Sequence, residues 1–199
     1  MRLNPFRTAR FVMSGAKLEQ LPQDEVPELA FAGRSNSGKS SALNVLCDHS
    51  ALARVSKTPG RTQLINLFEI PGVGRFADLP GYGYADVPRE VQKDWSRLIG
   101  GYVEQRSNLR ALAVIMDVRH PLTDADLQML DWSRSRGLPA HILLTKADKL
   151  GFGASKNQLQ QVRSKLPPQD SVQLFSATKK TGVDEAVEKL LALMTAAPG

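Results

Sequence analysis

Residues 33–40 read Gly33-Arg34-Ser35-Asn36-Ser37-Gly38-Lys39-Ser40: a glycine, four residues, then glycine, lysine and serine. Each part of that spacing has a mechanical reason. Glycines let backbone amides curl around an anion, and a lysine reaches terminal phosphates. A serine hydroxyl can ligate Mg2+, and the following helix points its positive dipole end at the anion. The preceding run Glu28–Gly33 (ELAFAG) is apolar and closes on glycine, as a buried strand does. Lys39–Leu46 continues as a helix with Ala42, Leu43, Val45 and Leu46 apolar. At average composition a chance match over such a chain is under about 1%. A glycine turn without a ligand is therefore the weaker reading. The loop alone does not separate adenine from guanine nucleotides.

Outward from the loop, strands alternate with helices. Gln63–Ile70 and Arg75–Leu79 read as an antiparallel hairpin across Pro71-Gly72-Val73-Gly74. Leu109–Val118 is a near-continuous apolar run, the mark of a central strand covered on both faces. Pro139–Thr145 and Ser171–Ser176 read as further strands. Helices are expected over 87–106, capped by Asp86 with Pro88 in its first turn and weakened by Gly100-Gly101, and over 123–136, where Thr123 and Asp126 sit as a capping box. Two more are expected over 155–166, with Ser155 and Gln158 in capping positions, and over 182–195. The fold class is α/β: three layers around a mostly parallel sheet, with one antiparallel strand from the 63–79 hairpin. Residues 1–25, broken by Pro5 and Pro22, form a short N-terminal extension that is irregular or a short edge element, and 26–199 form a single domain.

Three further motifs follow the loop in order. Asp78-Leu79-Pro80-Gly81 closes a strand: an aspartate there can hold Mg2+ through water, and the glycine amide can meet a γ-phosphate. Thr62 precedes the hairpin and can close the Mg2+ shell when a γ-phosphate is present, the way a switch loop is ordered. Thr58 is its rival but lies farther from the strand, before Pro59. Thr145-Lys146-Ala147-Asp148 corresponds to an N-K-x-D guanine motif with threonine for asparagine. The Asp148 carboxylate can accept from guanine N1–H and the 2-amino group, donors that adenine lacks. Lys146 packs its stem along the base in this reading, and a backbone amide near Ala177, in Phe175-Ser176-Ala177, can meet guanine O6.

Composition sets the frame. The chain has 199 residues, 42% hydrophobic and 23% charged, which excludes a disordered chain, a collagen-like fibre and a disulfide scaffold. The single cysteine, Cys47, fits a reducing compartment and reads as a small buried hydrophobe. No apolar run reaches the ~20 residues of a membrane span, and the basic N-terminus lacks the apolar core of a signal peptide. A cytoplasmic location is expected. The net charge of +6 favours phosphate-rich partners or is only a solubility surplus; Arg2, Arg7, Arg10 and Lys17 form a basic arm. His49, His120 and His141 have no metal-ligand spacing, and His141 on a core strand reads as structural. Trp95 and Trp132 read as packing, and Asp124, Asp126 and Asp131 as a solvated acidic face.

The ordered set GRSNSGKS, GRTQ (60–63), DLPGYG (78–83), TKAD and FSA resembles the EngB family of bacterial GTPases over nearly the whole chain. KTPGRTQLINLF and ADLPGYGYA are its most specific stretches, and Phe11 and Val12 of the extension take part. The resemblance implies a Ras-like P-loop GTPase fold. It implies GTP contacts at Gly33, Arg34, Ser35, Asn36, Ser37, Gly38, Lys39, Ser40, Gly60, Arg61, Thr62, Gln63, Leu64, Asp78, Leu79, Pro80, Gly81, Thr145, Lys146, Ala147, Asp148, Phe175, Ser176 and Ala177. Mg2+ falls to Ser40, Thr62 and, through water, Asp78. The family is implicated in large ribosomal subunit assembly and in normal cell division and septation. Implied partners are GTP, GDP and the large subunit or its precursor, through rRNA and ribosomal proteins. No DNA or membrane partner is expected, and the chain is expected to be a monomer.

Two departures stand out. Ala177 occupies a position where serine is frequent, which is harmless if the backbone reads the base. Tyr82 stands where many Ras-like proteins carry a water-orienting glutamine, so no catalytic residue is assigned and slow hydrolysis is expected. Asn36 is a candidate ligand for a monovalent cation such as K+; the plainer reading is that it only stabilises the loop. The competing functions are an RNA-binding module with vestigial hydrolysis and an ATP-using kinase, the second disfavoured by Asp148.

Overall fold

A computed structural model describes residues 4–53, 64–83 and 89–196. Seven strands form one sheet: β1 (Arg10–Gly15), β2 (Glu28–Gly33), β3 (Ile65–Ile70), β4 (Gly74–Asp78), β5 (Leu109–Asp117), β6 (Ala140–Thr145) and β7 (Ser171–Leu174). Their spatial order is β1-β3-β4-β2-β5-β6-β7. Among the described residues the α-helices are α1 (Lys39–Leu46), α2 (Arg89–Gln105), α3 (Asp124–Ser135) and α4 (Phe152–Arg163), each between two strands, and α5 (Val183–Thr195) after β7. β3 pairs antiparallel with both β1 and β4, and every other pairing is parallel. Only β3 therefore runs against the rest, as the 63–79 hairpin predicts.

Side-chain alternation on the strands sorts the core into two layers. Leu29 and Phe31 of β2 join Leu43 of α1 and Leu190 of α5 on one face. Ala30 and Ala32 face the other way, toward Ile99 and Tyr102 of α2, Met129 of α3 and Val162 of α4. The extension is part of this core. β1 is one of the two edge strands, and Phe6, fully buried, meets the Phe76 ring edge-on at 4.8 Å. Its basic character is partly neutralised: Arg7 pairs with Asp48 at 3.0 Å and Arg10 with Glu69 at 2.7 Å.

Several boundaries differ from the sequence expectations. α4 starts at Phe152 behind Gly151, so Ser155 is not its cap; its hydroxyl donates back to the Gly151 carbonyl at 2.8 Å from inside the first turns. Gly100-Gly101 does not weaken α2, because the Trp132 ring packs there: a Cβ on Gly100 would stand 3.2 Å from Trp132 Cζ2. β7 ends at Leu174, and Ser176 instead bridges Thr181. Asp126 is not part of a solvated face but is 1% exposed. Asp86 and Pro88 lie outside the described residues.

An ion cluster lies under β2. Glu28, fully buried, accepts from Arg75 Nη1 at 3.0 Å, Tyr102 Oη at 2.6 Å and Arg106 Nη2 at 2.5 Å, and Arg75 also holds Asp24. These groups stand far apart in sequence and join the starts of β2 and β4 to the end of α2.

His141 on β6 is structural, as expected. Its Nε2–H donates to Gln173 Oε1 at 2.9 Å, which leaves Nδ1 to accept from the Ser171 hydroxyl at 2.8 Å. Burial pushes the ring down to about 4, and the charge of Lys189 adds to this. An unfolded histidine titrates near 6.5. Between those values the unfolded chain binds the proton more readily, so stability is complete above about pH 6.5 and falls as pH drops through this window. Urea unfolding at a series of pH values should show a slope approaching 1.4 kcal/mol per pH unit from this residue. His141→Gln should flatten that part of the profile; an unchanged slope would contradict the assignment.

Candidate functional site

Those predicted site residues that lie in the phosphate loop, the 78–82 segment, the 145–148 loop and the 175–177 turn come together at the carboxyl ends of the parallel strands, next to β2, where connections leave the sheet in opposite directions. That edge is where open α/β sheets bind ligands. The turn from β2 into α1 owes its shape to three residues. Gly33 has no room for a side chain: a Cβ would meet Ser37 Oγ at 2.7 Å and the Ile115 carbonyl at 2.9 Å. Asn36 and Gly38 take positive φ angles, 61° and 92°, which curl the backbone before α1 begins at Lys39. Lys39 Nζ forms an ion pair with Asp78 Oδ1, and both side chains are about nine-tenths buried, at 11% and 9% exposure. Each charge thus compensates the other at the head of α1.

Asp78 is placed by register, since β4 runs parallel to β2 with Asp78 opposite Phe31. The chain then passes along the loop. Tyr82 N–H donates to the Gly33 carbonyl at 3.2 Å, and Ser35 N–H donates to the Tyr82 carbonyl at 2.8 Å. A Cβ on Gly81 would lie 3.5 Å from Ser35 N. The DLPG segment and the phosphate loop are therefore side by side, as their order in sequence predicts.

The 145–148 loop is tied to the same turn. The buried Thr145 hydroxyl lies in hydrogen-bond contact with the Ser37 carbonyl and, at 3.1 Å, the Met116 carbonyl. A threonine can thus anchor the loop where the motif has asparagine. Lys146, at φ 57°, donates to the Asn36 carbonyl at 2.6 Å and pairs with Asp117 at 3.0 Å. Ala147 N–H donates to the Phe175 carbonyl at 3.2 Å, which joins TKAD to FSA. Asp148 is exposed and accepts from the Ser176 hydroxyl at 2.5 Å. That bond holds its carboxyl below the usual range, so the group is an ionised acceptor.

Two functional candidates were not singled out by sequence reasoning. Asp117 ends β5 opposite Thr145 and is shared by Lys146 and Arg119, whose Nη2 stands 2.6 Å away. Burial pushes the Asp117 carboxyl up, but the Arg119 and Lys146 hydrogen bonds prevail and hold it well below the ordinary range. Its signal was available: a charge closing an apolar strand at the sheet's carboxyl edge. The other is Asp126, which accepts from the Tyr82 hydroxyl at 2.9 Å. Between them lies a cavity of about 200 Å³, lined by Arg34, Asn36, Asp117, Arg119 and Lys146 among others. Gly60, Arg61, Thr62 and Gln63 lie outside the described residues, with the rival Thr58. Leu64 stands just before β3, 37% exposed.

Comparison with known proteins agrees with this geometry. A family model described as "50S ribosome-binding GTPase" matches residues 28–146. The structure resembles a crystal structure described as a probable GTP-binding protein engB, with TM-score 0.67 at 19% identity, over 82% of this chain and 98% of the other. It also resembles Era in complex with MgGDPNP and nucleotides 1506–1542 of 16S ribosomal RNA, with TM-score 0.65 at 19% identity, over 88% of this chain and 59% of that one. At these identities the likeness establishes the fold. A phosphate loop on the first strand-to-helix turn, in that fold and under that family model, defines a P-loop GTPase.

Relatives narrow the class. A protein of Yersinia enterocolitica named "Probable GTP-binding protein EngB" is 53% identical over 188 residues, 93% of this chain and 87% of its own. A Yersinia pestis protein of the same name matches to the same extent. The chain belongs to the EngB family of GTP-binding proteins.

Proposed function

We propose that residues 26–199 form a G domain, extended by 1–25, that binds GTP and GDP with Mg2+ and acts as a nucleotide switch in large ribosomal subunit assembly in the cytoplasm. In this reading the amides of 33–40 cradle the phosphates, and Lys39 leaves Asp78 to meet the β- and γ-phosphates. Gly60, Arg61, Thr62, Gln63 and Leu64 border the nucleotide, and Leu79, Pro80 and Gly81 carry the γ-phosphate contact. Thr145, Lys146, Ala147 and Asp148 read guanine together with Phe175, Ser176 and Ala177. The observation that carries it is the placement of Asp148, ionised and exposed, on a loop pinned to the phosphate turn through Thr145 and Lys146.

The residues fit Mg2+. The Ser40 hydroxyl in the first turn of α1 and the Asp78 carboxylate beside Lys39 are hard oxygen donors, and Mg2+ is ordinarily held by few carboxylates together with substrate phosphates. Thr62 completes the set in this reading. Bound there, Mg2+ neutralises charge that develops on the phosphates. Tyr82 offers no water-orienting group, since its phenol is engaged by Asp126. Hydrolysis is accordingly slow, and stimulation by a partner or by K+ is expected. Asn36 is exposed, and it is its backbone carbonyl, not its side chain, that accepts from Lys146. Turnover should be several-fold faster in KCl than in NaCl at matched ionic strength, and Asn36→Ala should abolish the difference; equal rates in the two salts would leave Asn36 a shaping residue only.

The ribosomal partner is supported by the family model's description, "50S ribosome-binding GTPase", and by the net charge of +6. A role in cell division and septation rests on family membership alone. Co-sedimentation with purified large subunits tests the partner. Binding should be stronger with a non-hydrolysable GTP analogue than with GDP, and should weaken steeply with salt as phosphate contacts require. Equal binding in both nucleotide states would remove the switch and leave the second reading, an RNA-binding module with vestigial hydrolysis, which the engaged Tyr82 phenol favours.

A further inference from the structure

The Tyr82 side chain is 8% exposed and turns away from the phosphate loop toward α3. Its hydroxyl donates to Asp126 Oδ1 at 2.9 Å. The other Asp126 oxygen is already committed: Oδ2 accepts from Thr123 N–H at 3.0 Å and from the Thr123 hydroxyl at 2.8 Å, closing the capping box of α3. The carboxylate is therefore fixed by the helix start, and one of its oxygens is left for Tyr82. The Tyr82 backbone is bonded in both directions to the loop, through Gly33 and Ser35. Directly after it the chain bends away at Gly83, φ 71°, where a Cβ would press on Arg34 Nε at 3.1 Å.

Tyr82 is thus held at three points, two on the phosphate loop and one on α3, and Gly81 sits immediately before it. Gly81 and Tyr82 share one peptide bond, so a change in where the phenol is held bears directly on the placement of the Gly81 amide. We propose that Asp126 is a positioning residue for the GTPase reaction: through the Tyr82 hydroxyl, the capping carboxylate of α3 sets where Gly81 stands against the phosphate loop. It does so without touching nucleotide. The position usually occupied by a water-orienting glutamine carries instead a strut between the loop and α3. This rests on the reading of Gly81 as the γ-phosphate contact.

The consequence is selective. A GDP complex has no γ-phosphate to lose, whereas a GTP complex depends on the position of Gly81. Tyr82→Phe keeps the ring and its packing but removes the donor. It should shift the ratio of GTP-analogue to GDP affinity about tenfold toward GDP and lower kcat by a comparable factor, within the usual range of coupling between sites. GDP affinity should change less than about twofold. Asp126→Ala, which removes the acceptor, should act in the same direction, and the double variant should be no worse than the stronger single one, as expected for two groups serving one contact. Should Asp126→Ala unfold through loss of its cap, Tyr82→Phe alone decides. Gly81→Pro, which removes the amide N–H, separates the two levels of the argument. If Gly81→Pro shifts the ratio and Tyr82→Phe does not, the strut is wrong and the γ-phosphate reading stands. If Gly81→Pro leaves the ratio unchanged, the γ-phosphate reading fails and takes the strut with it. Equal losses for GDP and the GTP analogue in Tyr82→Phe would make the hydrogen bond merely structural and overturn the proposal.

Discussion

Asp148→Asn should weaken GTP and GDP binding by roughly 100- to 1,000-fold, the loss expected when a site built for specific hydrogen bonds is mispaired. The reason is donor and acceptor parity. The wild-type carboxylate is ionised, backed by the Ser176 hydroxyl, and only accepts. The amide of asparagine brings a donor to a guanine edge that also donates, so one pair of hydrogens collides. Xanthine carries an oxygen where guanine carries its 2-amino group, and accepts what the amide offers. The variant should therefore bind xanthine nucleotides better than wild type does. Competition against a fluorescent GDP measures both effects. Because Asp148 is exposed, the substitution should leave thermal stability nearly unchanged, which separates loss of recognition from loss of fold. Unchanged affinity for GTP would show that Asp148 does not face the base.

Glu28→Ala should destabilise the fold by about 3–5 kcal/mol, the usual cost of removing one partner from a buried ionic group. Glu28 is fully buried and is the shared acceptor for Arg75, Tyr102 and Arg106. Its loss leaves Arg106 without a carboxylate, with the Pro22 carbonyl and the Tyr102 ring as its remaining contacts, while Arg75 retains Asp24. Glu28→Gln should cost less, since an amide still accepts one bond. Urea unfolding reads the difference, and a loss below about 1 kcal/mol, the scale of a surface pair, would contradict the account. Nucleotide binding should persist below the unfolding transition, because the cluster lies at the opposite ends of β2 and β4 from the phosphate loop.

That cluster also marks the limit of what the sequence discloses. Phosphate loops are legible because the anion is held by consecutive amides, so the whole device is local. The 33–40 turn, α1 and the TKAD loop were predicted with nearly the right ends for this reason. Glu28, Tyr102, Arg75 and Arg106 become one unit only when three elements meet, and nothing in their spacing signals it. Asp126 shows the same limit in a single residue. Its place in the Thr123 capping box was legible, but beside Asp124 and Asp131 it reads as one more solvated acid, whereas it is buried and receives the hydroxyl of Tyr82, 44 residues earlier. Gly100 misled in the other direction: helix propensity alone disfavours it, whereas the Trp132 ring needs the space. Ser155 is not the cap because the helix begins a turn earlier, at Phe152 behind Gly151, and takes Ser155 into its interior.

Guanine selectivity is the central claim, and titration calorimetry with GTP, GDP and ATP in the presence of Mg2+ tests it most directly. Both guanine nucleotides should bind measurably, and ATP should bind at least about 100-fold more weakly, because adenine leaves the Asp148 carboxylate unpaired. ATP binding as tight as GTP binding would contradict the assignment of residues 145–148 to the base.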